Sequence, residues 1–179
     1  SADSSAFAVA IPGPEPLTPP PAGTVWRVVA DGSAGVLAGT ISGDLFFSQF
    51  DAPAVSPDLA HLAFLRETGT PNVRDLVLSG LDGSGERIVT TDQVTWKGWS
   101  PDGQHFLFAA PEPTFLQVGS LGGGSVSMPV GTSPVWADAT SYIYLSGAAG
   151  AWTLNRTDLS GTTTVIARPA GEYVAFDVN

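Results

Sequence analysis

This chain repeats itself, and the repeat limits what it can fold into more than any bulk property does. Four segments, residues 55–64, 99–108, 136–145 and 167–176, follow one pattern. Each opens on an apolar residue and makes a tight polar turn. Six positions after the first residue each places a ring: His61, His105, Tyr142 or Tyr173. An apolar strand follows. The fullest copy runs through Trp99, Ser100, Pro101, Asp102, Gly103, Gln104 and His105 into Phe106, Leu107 and Phe108. Pro presets φ for a turn, Asp can accept a nearby backbone N–H, and Gly tolerates left-handed geometry. A second pattern lies between these segments, at 25–32, 75–83, 115–123 and 151–161. Each copy is a strand running into a Gly-containing turn. In three copies a leucine (Leu81, Leu121, Leu159) stands two residues before the last glycine. Short strand-forming runs follow at 86–91, 125–130 and 162–166.

One unit therefore reads strand, turn, strand, loop, strand, Gly turn, strand. That is a four-stranded antiparallel meander of about 40 residues, the size of a propeller blade. The predicted fold class is all-β, a β-propeller of about four blades. Period-two alternation supports strands, with Trp26, Val28 and Ala30 on one side and Val25, Arg27 and Val29 on the other. No window holds a capped 3.6-residue apolar period, so no long helix is expected. With 21 Gly and 15 Pro, turns are plentiful, and 43% hydrophobic residues supply a core.

Residues 99–109 resemble the repeat signature of TolB-like, WD-repeat-like β-propellers, and residues 25–33 resemble the third strand and following turn of such a blade. The resemblance spans roughly 24–179. It is strong at 99–109 and good at 56–64. It is degraded where Trp136, Ala137, Asp138, Ala139 and Thr140 replace the Ser-Pro-Asp-Gly turn, and where only Arg168, Pro169, Ala170 and Gly171 remain of it. It implies that the Trp preceding the turn packs between adjacent blades with its N–H seeking a partner. It implies a fold and leaves function open.

Two segments follow: residues 1–23, a Pro-rich tether with an extended stretch at 12–21, and residues 24–179, the propeller. Residues 6–11 are a candidate extra strand. Strand 173–178 is of the second type and 25–30 of the third, so the two ends are expected to close the ring within one blade. The last unit is compressed, and 162–167 must serve as an outer strand and as the next inner one. A self-closed propeller, a fragment of a larger one, and a half-ring completed by another subunit all remain open. An open ring would expose edge strands that proteins usually cover.

The function classes narrow by exclusion. Net charge is −10, with Lys97 the only lysine and 13% charged residues. Nucleic acid needs clustered cations, so no nucleic-acid partner is expected. No apolar run is long enough for a membrane span, so no direct membrane insertion is expected. Cysteine is absent, which removes disulfides and thiolate chemistry. His61 and His105 share one repeat position, and a catalytic residue has no reason to recur in each blade. Gly80 to Gly85 and Gly119 to Gly124 are glycine-rich hairpin turns without the helix or Lys of a phosphate loop. Asp31 and Asp82 open Asp-Gly-Ser turns that lack calcium-loop spacing. Asn155, Arg156 and Thr157 form a glycosylation pattern, taken as incidental in a sequence of bacterial character. No catalytic residue, metal or cofactor is expected. Trp96 and Phe115, less tied to the repeat, are the candidate binding residues, able to anchor a peptide or sugar if exposed. The expected role is a non-enzymatic extracytoplasmic protein-binding or scaffolding propeller, periplasmic or at the cell surface, with a protein partner and an oligomer or larger assembly in view. The alternatives are a structural subunit of a surface or membrane-associated assembly, and an accessory propeller of a larger hydrolase of the prolyl-oligopeptidase kind.

Overall fold

A computed structural model describes residues 6–11, 23–29, 36–41, 53–111, 115–129 and 131–169. Among them every regular element is a strand. The chain divides into two units, 1–94 and 95–179.

The first unit holds sheets A and B. Sheet A has three strands in the order β1 (Ala6–Ile11), β2 (Gly23–Val29), β3 (Val36–Ile41). β1 thus realises the extra strand expected at 6–11, pairing antiparallel along β2 from Ala6 opposite Val29 to Ile11 opposite Thr24. Sheet B runs β4 (Ala54–Val55), β5 (His61–Glu67), β6 (Arg74–Gly80), β7 (Arg87–Asp92). The second unit holds sheet C, β8 (Thr95–Trp99), β9 (His105–Ala109), β10 (Leu116–Ser120), β11 (Ser125–Met128). It also holds sheet D, β12 (Thr132–Asp138), β13 (Ser141–Ser146), β14 (Thr153–Asp158), β15 (Thr163–Ala167). Sheets B, C and D are the four-stranded antiparallel meanders that the repeat predicts. The proposed closing strand at 173–178 and the Pro-rich stretch at 12–21 lie outside the described residues.

Each strand of a meander has its own burial signature, and the sequence explains why. Leu62 to Leu65 of β5, Leu76 to Ser79 of β6 and Phe106 to Ala109 of β9 are buried without alternation. A strand covered on both faces must be apolar on both faces. In sheet C, Leu107 faces sheet D and joins a cluster with Leu116, Val118, Trp136, Tyr142 and Tyr144. Phe106 and Phe108 take the other face, where Phe106 stacks on Trp96 at 5.7 Å and on Phe108 at 5.9 Å. Gly119 is obligatory there, because a Cβ would meet the Phe106 ring at 2.3 Å. The outer strands β7, β11 and β15 are much more exposed, and β15 is exposed throughout.

The Gly turns repeat atom for atom. The N–H groups of Gly83, Gly123 and Gly161 donate to the carbonyls of Gly80, Ser120 and Asp158 at 2.9, 3.1 and 2.9 Å. These three glycines have φ of 83°, 103° and 88°, the left-handed region that favours Gly. The leucine two residues before each one locks the turn to the neighbouring hairpin. The N–H groups of Leu81, Leu121 and Leu159 each donate at 3.0 Å to the neighbouring corner, to the carbonyls of Ala60 and Gln104 just before the repeat ring and to that of Thr140, two residues before Tyr142. The sequence pattern of a Leu ahead of Gly thus encodes a cross-link between two turns at one end of each blade.

Candidate functional site

The two histidines occupy one recurrent turn. In sheet B, the Ser56 hydroxyl donates to Asp58 at 2.5 Å and accepts the His61 N–H at 2.9 Å. In sheet C, the Ser100 hydroxyl donates to Asp102 at 2.6 Å and accepts the His105 N–H at 2.9 Å. Asp58 and Asp102 in turn accept the N–H of Ala60 and Gln104, both at 3.1 Å. Burial pushes the Asp58 carboxyl up, but the Ser56 hydroxyl, the Ala60 N–H and the nearby His61 outweigh it, leaving the value lowered. At Asp102 the Ser100 hydroxyl is the main cause, and the result is again lowered. Both carboxylates are turn caps.

The calcium and glycosylation patterns are likewise absorbed into the fold. Asp82 accepts the Ser84 N–H at 2.9 Å and its hydroxyl at 2.6 Å, closing its own turn. Asn155 is buried and spends its amide on Ser146 Oγ at 2.8 Å and on the Thr153 carbonyl at 3.1 Å. A glycan could not be attached there without opening the sheet. No group of three metal-ligating side chains occurs among the described residues.

The structure separates the two candidate binding residues. Trp96 is half-buried, with its ring edge-on to Trp99 at 5.4 Å and stacked on Phe106. Phe115 is 45% exposed. They share one end of sheet C. Thr95, just before Trp96, opposes Ala109, and the Phe115 carbonyl accepts the Ala110 N–H at 2.9 Å. Phe115 is the accessible member of the pair. Of the other tryptophans with described side chains, Trp136 is buried, whereas Trp99 and Trp152 are half-buried rather than core. Trp136 behaves as the repeat implied. From β12 its Nε1 donates to the Gly98 carbonyl on β8 at 3.2 Å, tying sheet D to sheet C.

An apolar concavity lies elsewhere, at the outer end of the cleft between sheets C and D. Its volume is about 260 Å³. Val118, Val126, Met128 and Leu159 wall it, His105 forms part of the lining, and Gly123 and Gly124 lie along its rim. It exists because two sheets that touch through Trp136, Tyr142 and Leu107 diverge toward their outer strands. Val126 is 61% exposed there, while Val118 and Met128 are buried. His105 Nδ1 is shielded from solvent and makes no hydrogen bond, and its ring lies 6.5 Å from that of Trp136. Sequence reasoning missed this cleft. The one legible signal was Leu159 before its Gly turn, which packs against the apolar cluster shared by sheets C and D.

No family model matches the sequence, and no curated protein matches it by sequence. Solved structures do match its fold. The β-propeller domain of the Trilobed protease from Pyrococcus furiosus, described as having an open velcro topology, matches with TM-score 0.64 at 11% identity, over 92% of this chain and 55% of that one. TolB from Acinetobacter baumannii matches with TM-score 0.56 at 13% identity, over 96% and 43%. An oligogalacturonate lyase in complex with manganese matches with TM-score 0.58 at 20% identity, over 88% and 45%. The chain thus spans about half the length of these structures. Likeness at these identities concerns architecture, and it agrees with the blade-by-blade geometry above: this chain has the TolB-like β-propeller fold.

Proposed function

We propose that this chain is a non-enzymatic protein-binding or scaffolding β-propeller that works outside the cytoplasm. One observation carries the reading. The exposed large apolar side chains among the described residues are Phe115 and the outer-strand residues Ile88, Val126, Val165 and Ile166, whereas the capping aspartates and the backbone N–H groups of the histidines are committed to repeat turns. Apolar side chains held in water are available to a partner surface. The two histidines stand in separate blades, and the Arg66, Asp75 and Glu86 side chains of sheet B and the Asp138 and Arg156 side chains of sheet D are engaged in ion pairs within their own sheets. The Pro-rich stretch at 12–21 and the likeness to TolB support the compartment. No helix among the described residues is long and apolar enough to cross a membrane.

The test is a photo-crosslinking residue in place of Phe115 in the full chain, irradiated in the cells that make it. A discrete protein adduct, competed away by unlabelled chain, is expected in the extracytoplasmic fraction. Absence of any adduct, together with turnover of peptide, ester or polysaccharide substrates by the purified chain, would refute the reading.

The propeller match to a protease favours one second reading, an accessory propeller attached to a hydrolase. A serine-hydrolase sequence in the same open reading frame would establish it.

A further inference from the structure

We infer that the cleft between sheets C and D, with the edge of β11 that is unpaired among the described residues beside it, receives an extended, uncharged strand of a partner protein that inserts one aliphatic or aromatic side chain against Val126. This rests on the protein-binding reading above and specifies its site and its chemistry.

Three observations converge on that occupant. First, β11 is the terminal strand of sheet C, and among the described residues it pairs only with β10, from Leu116 opposite Met128 to Gly119 opposite Ser125. Its far side therefore offers backbone donors and acceptors to an incoming strand, the strand-addition mode of peptide recognition. Second, Val126 points from this strand along the face it shares with Val118 and Met128, so a strand laid on the edge places its own alternate side chains over the cleft. A cavity of roughly 150 Å³ accommodates a benzene ring. The cleft, at about 260 Å³, holds a Phe or Leu side chain, and Met128 can adjust its shape around either. Third, the described lining contains no Asp, Glu, Lys or Arg, in a chain of net charge −10. An acidic protein whose concavity carries, apart from His105, no titratable side chain favours an uncharged apolar group there, since a buried lone charge would be costly.

The other outer strands differ in these respects. β7 is bounded by Arg87 and Asp92, charges of the kind that protect an edge. β15 is uncharged, but the register shift between Leu154 and Asn155 disturbs the regular ladder beneath it. Ile88, Val165 and Ile166 are exposed on those strands but do not line this cleft.

The experiment selects phage-displayed random nonapeptides against the purified full chain and measures one synthetic selected peptide by fluorescence anisotropy. The expected consensus is an extended, uncharged segment with a single aliphatic or aromatic position between strand-forming residues. Val126→Glu should weaken binding by at least ~tenfold, because it sets a carboxylate in the apolar cleft. Val165→Glu, the same charge on another exposed outer strand, should leave binding unchanged. Thermal melts of both variants matching the parent verify that they fold. Failure to select any peptide, a consensus lacking the apolar position, or equal responses to the two substitutions would overturn the cleft assignment. So would self-association of the parent chain that Val126→Glu dissolves, because the occupant would then be a second copy. If the cleft fails in this way while crosslinking at position 115 still captures a partner, the protein-binding reading stands and only its site is wrong. If both fail, both fall.

Discussion

Sheets C and D build the same hairpin corner by different means. In sheet C, the Ser100 hydroxyl is the hub. It accepts the His105 N–H, and it donates to Asp102 at 2.6 Å and lies 3.0 Å from the His105 carbonyl. In sheet D, Ala137 replaces that serine, and Asp138 takes over one residue later. Asp138 accepts the Thr140 N–H at 2.8 Å and pairs with Arg156, whose Nε donates to Ser141 Oγ at 2.9 Å. Asp138 pairs opposite Ser141, so the turn shortens to Ala139 and Thr140. The ring at the end of the motif changes in step. His105 is half-buried, while Tyr142 is fully buried and packs edge-on against Trp136 at 6.3 Å. Sheet C closes its corner around a serine hydroxyl with a half-buried imidazole, and sheet D around an aspartate with a fully buried tyrosine ring. The repeat therefore specifies a corner and an inward ring, and several local chemistries satisfy it.

This contrast makes testable claims, and the largest effect should come from the ring. Tyr142→Ala removes a side chain with no solvent exposure and should cost about 3–5 kcal/mol in urea unfolding, while His105→Ala should cost well under half as much. Equal losses would mean that the two corners are stabilised alike. Next comes the hub. Ser100→Ala strands the buried His105 N–H and should cost about 1–3 kcal/mol, whereas Ala137→Ser in sheet D should change stability by less than about 0.5 kcal/mol.

A smaller effect compares sheets B and C, whose turns share the serine and aspartate. Leu59 holds φ 57° at the position where Gly103 holds 70°. Left-handed geometry costs a side-chain-bearing residue about 1–2 kcal/mol. Leu59→Gly should therefore raise the melting temperature, and Gly103→Leu should lower it. The smallest effect is electrostatic. Asp58, Asp102 and Asp138 all have folded-state values below the ordinary 3.8, and at Asp138 the Thr140 N–H, the Ser141 hydroxyl and Arg156 bring the value down to about 2. A depressed folded value favours the native carboxylate. Its contribution is complete above the unfolded value and disappears as pH falls through the folded one. The denaturation midpoint should hold steady down to about pH 4–5 and decline between there and pH 2. Asp138→Asn should flatten the part of that decline closest to pH 2.

Much of the architecture was legible because it is local. Strand, turn and Gly turn recur at fixed spacing, and each depends on φ preferences and on hydrogen bonds a few residues apart. That is why the order of strands in sheets B, C and D, and the inward histidines, follow from the repeat. Trp136 was legible too, since a Trp ahead of the turn must pack where the next sheet passes, and it bonds Gly98 there. Trp96 and Phe115 looked equivalent in sequence, because exposure depends on which face of β8 is covered by Phe106 and on where Phe115 stands at the end of the sheet. The cleft was invisible for a related reason. Val118, Val126 and Met128 read as ordinary strand residues, and Leu159 belongs to a different repeat, 31 positions beyond Met128 in the numbering.

The amino-acid sequence by itself determined an all-β chain of repeated antiparallel meanders, because backbone sterics, glycine turns and alternating polarity act within one hairpin. Tertiary structure alone decided which apolar side chains remain in water and where two sheets part to leave a neutral cleft. Those outcomes depend on how one sheet sits against the next, and no residue encodes that spacing without its neighbour from another blade.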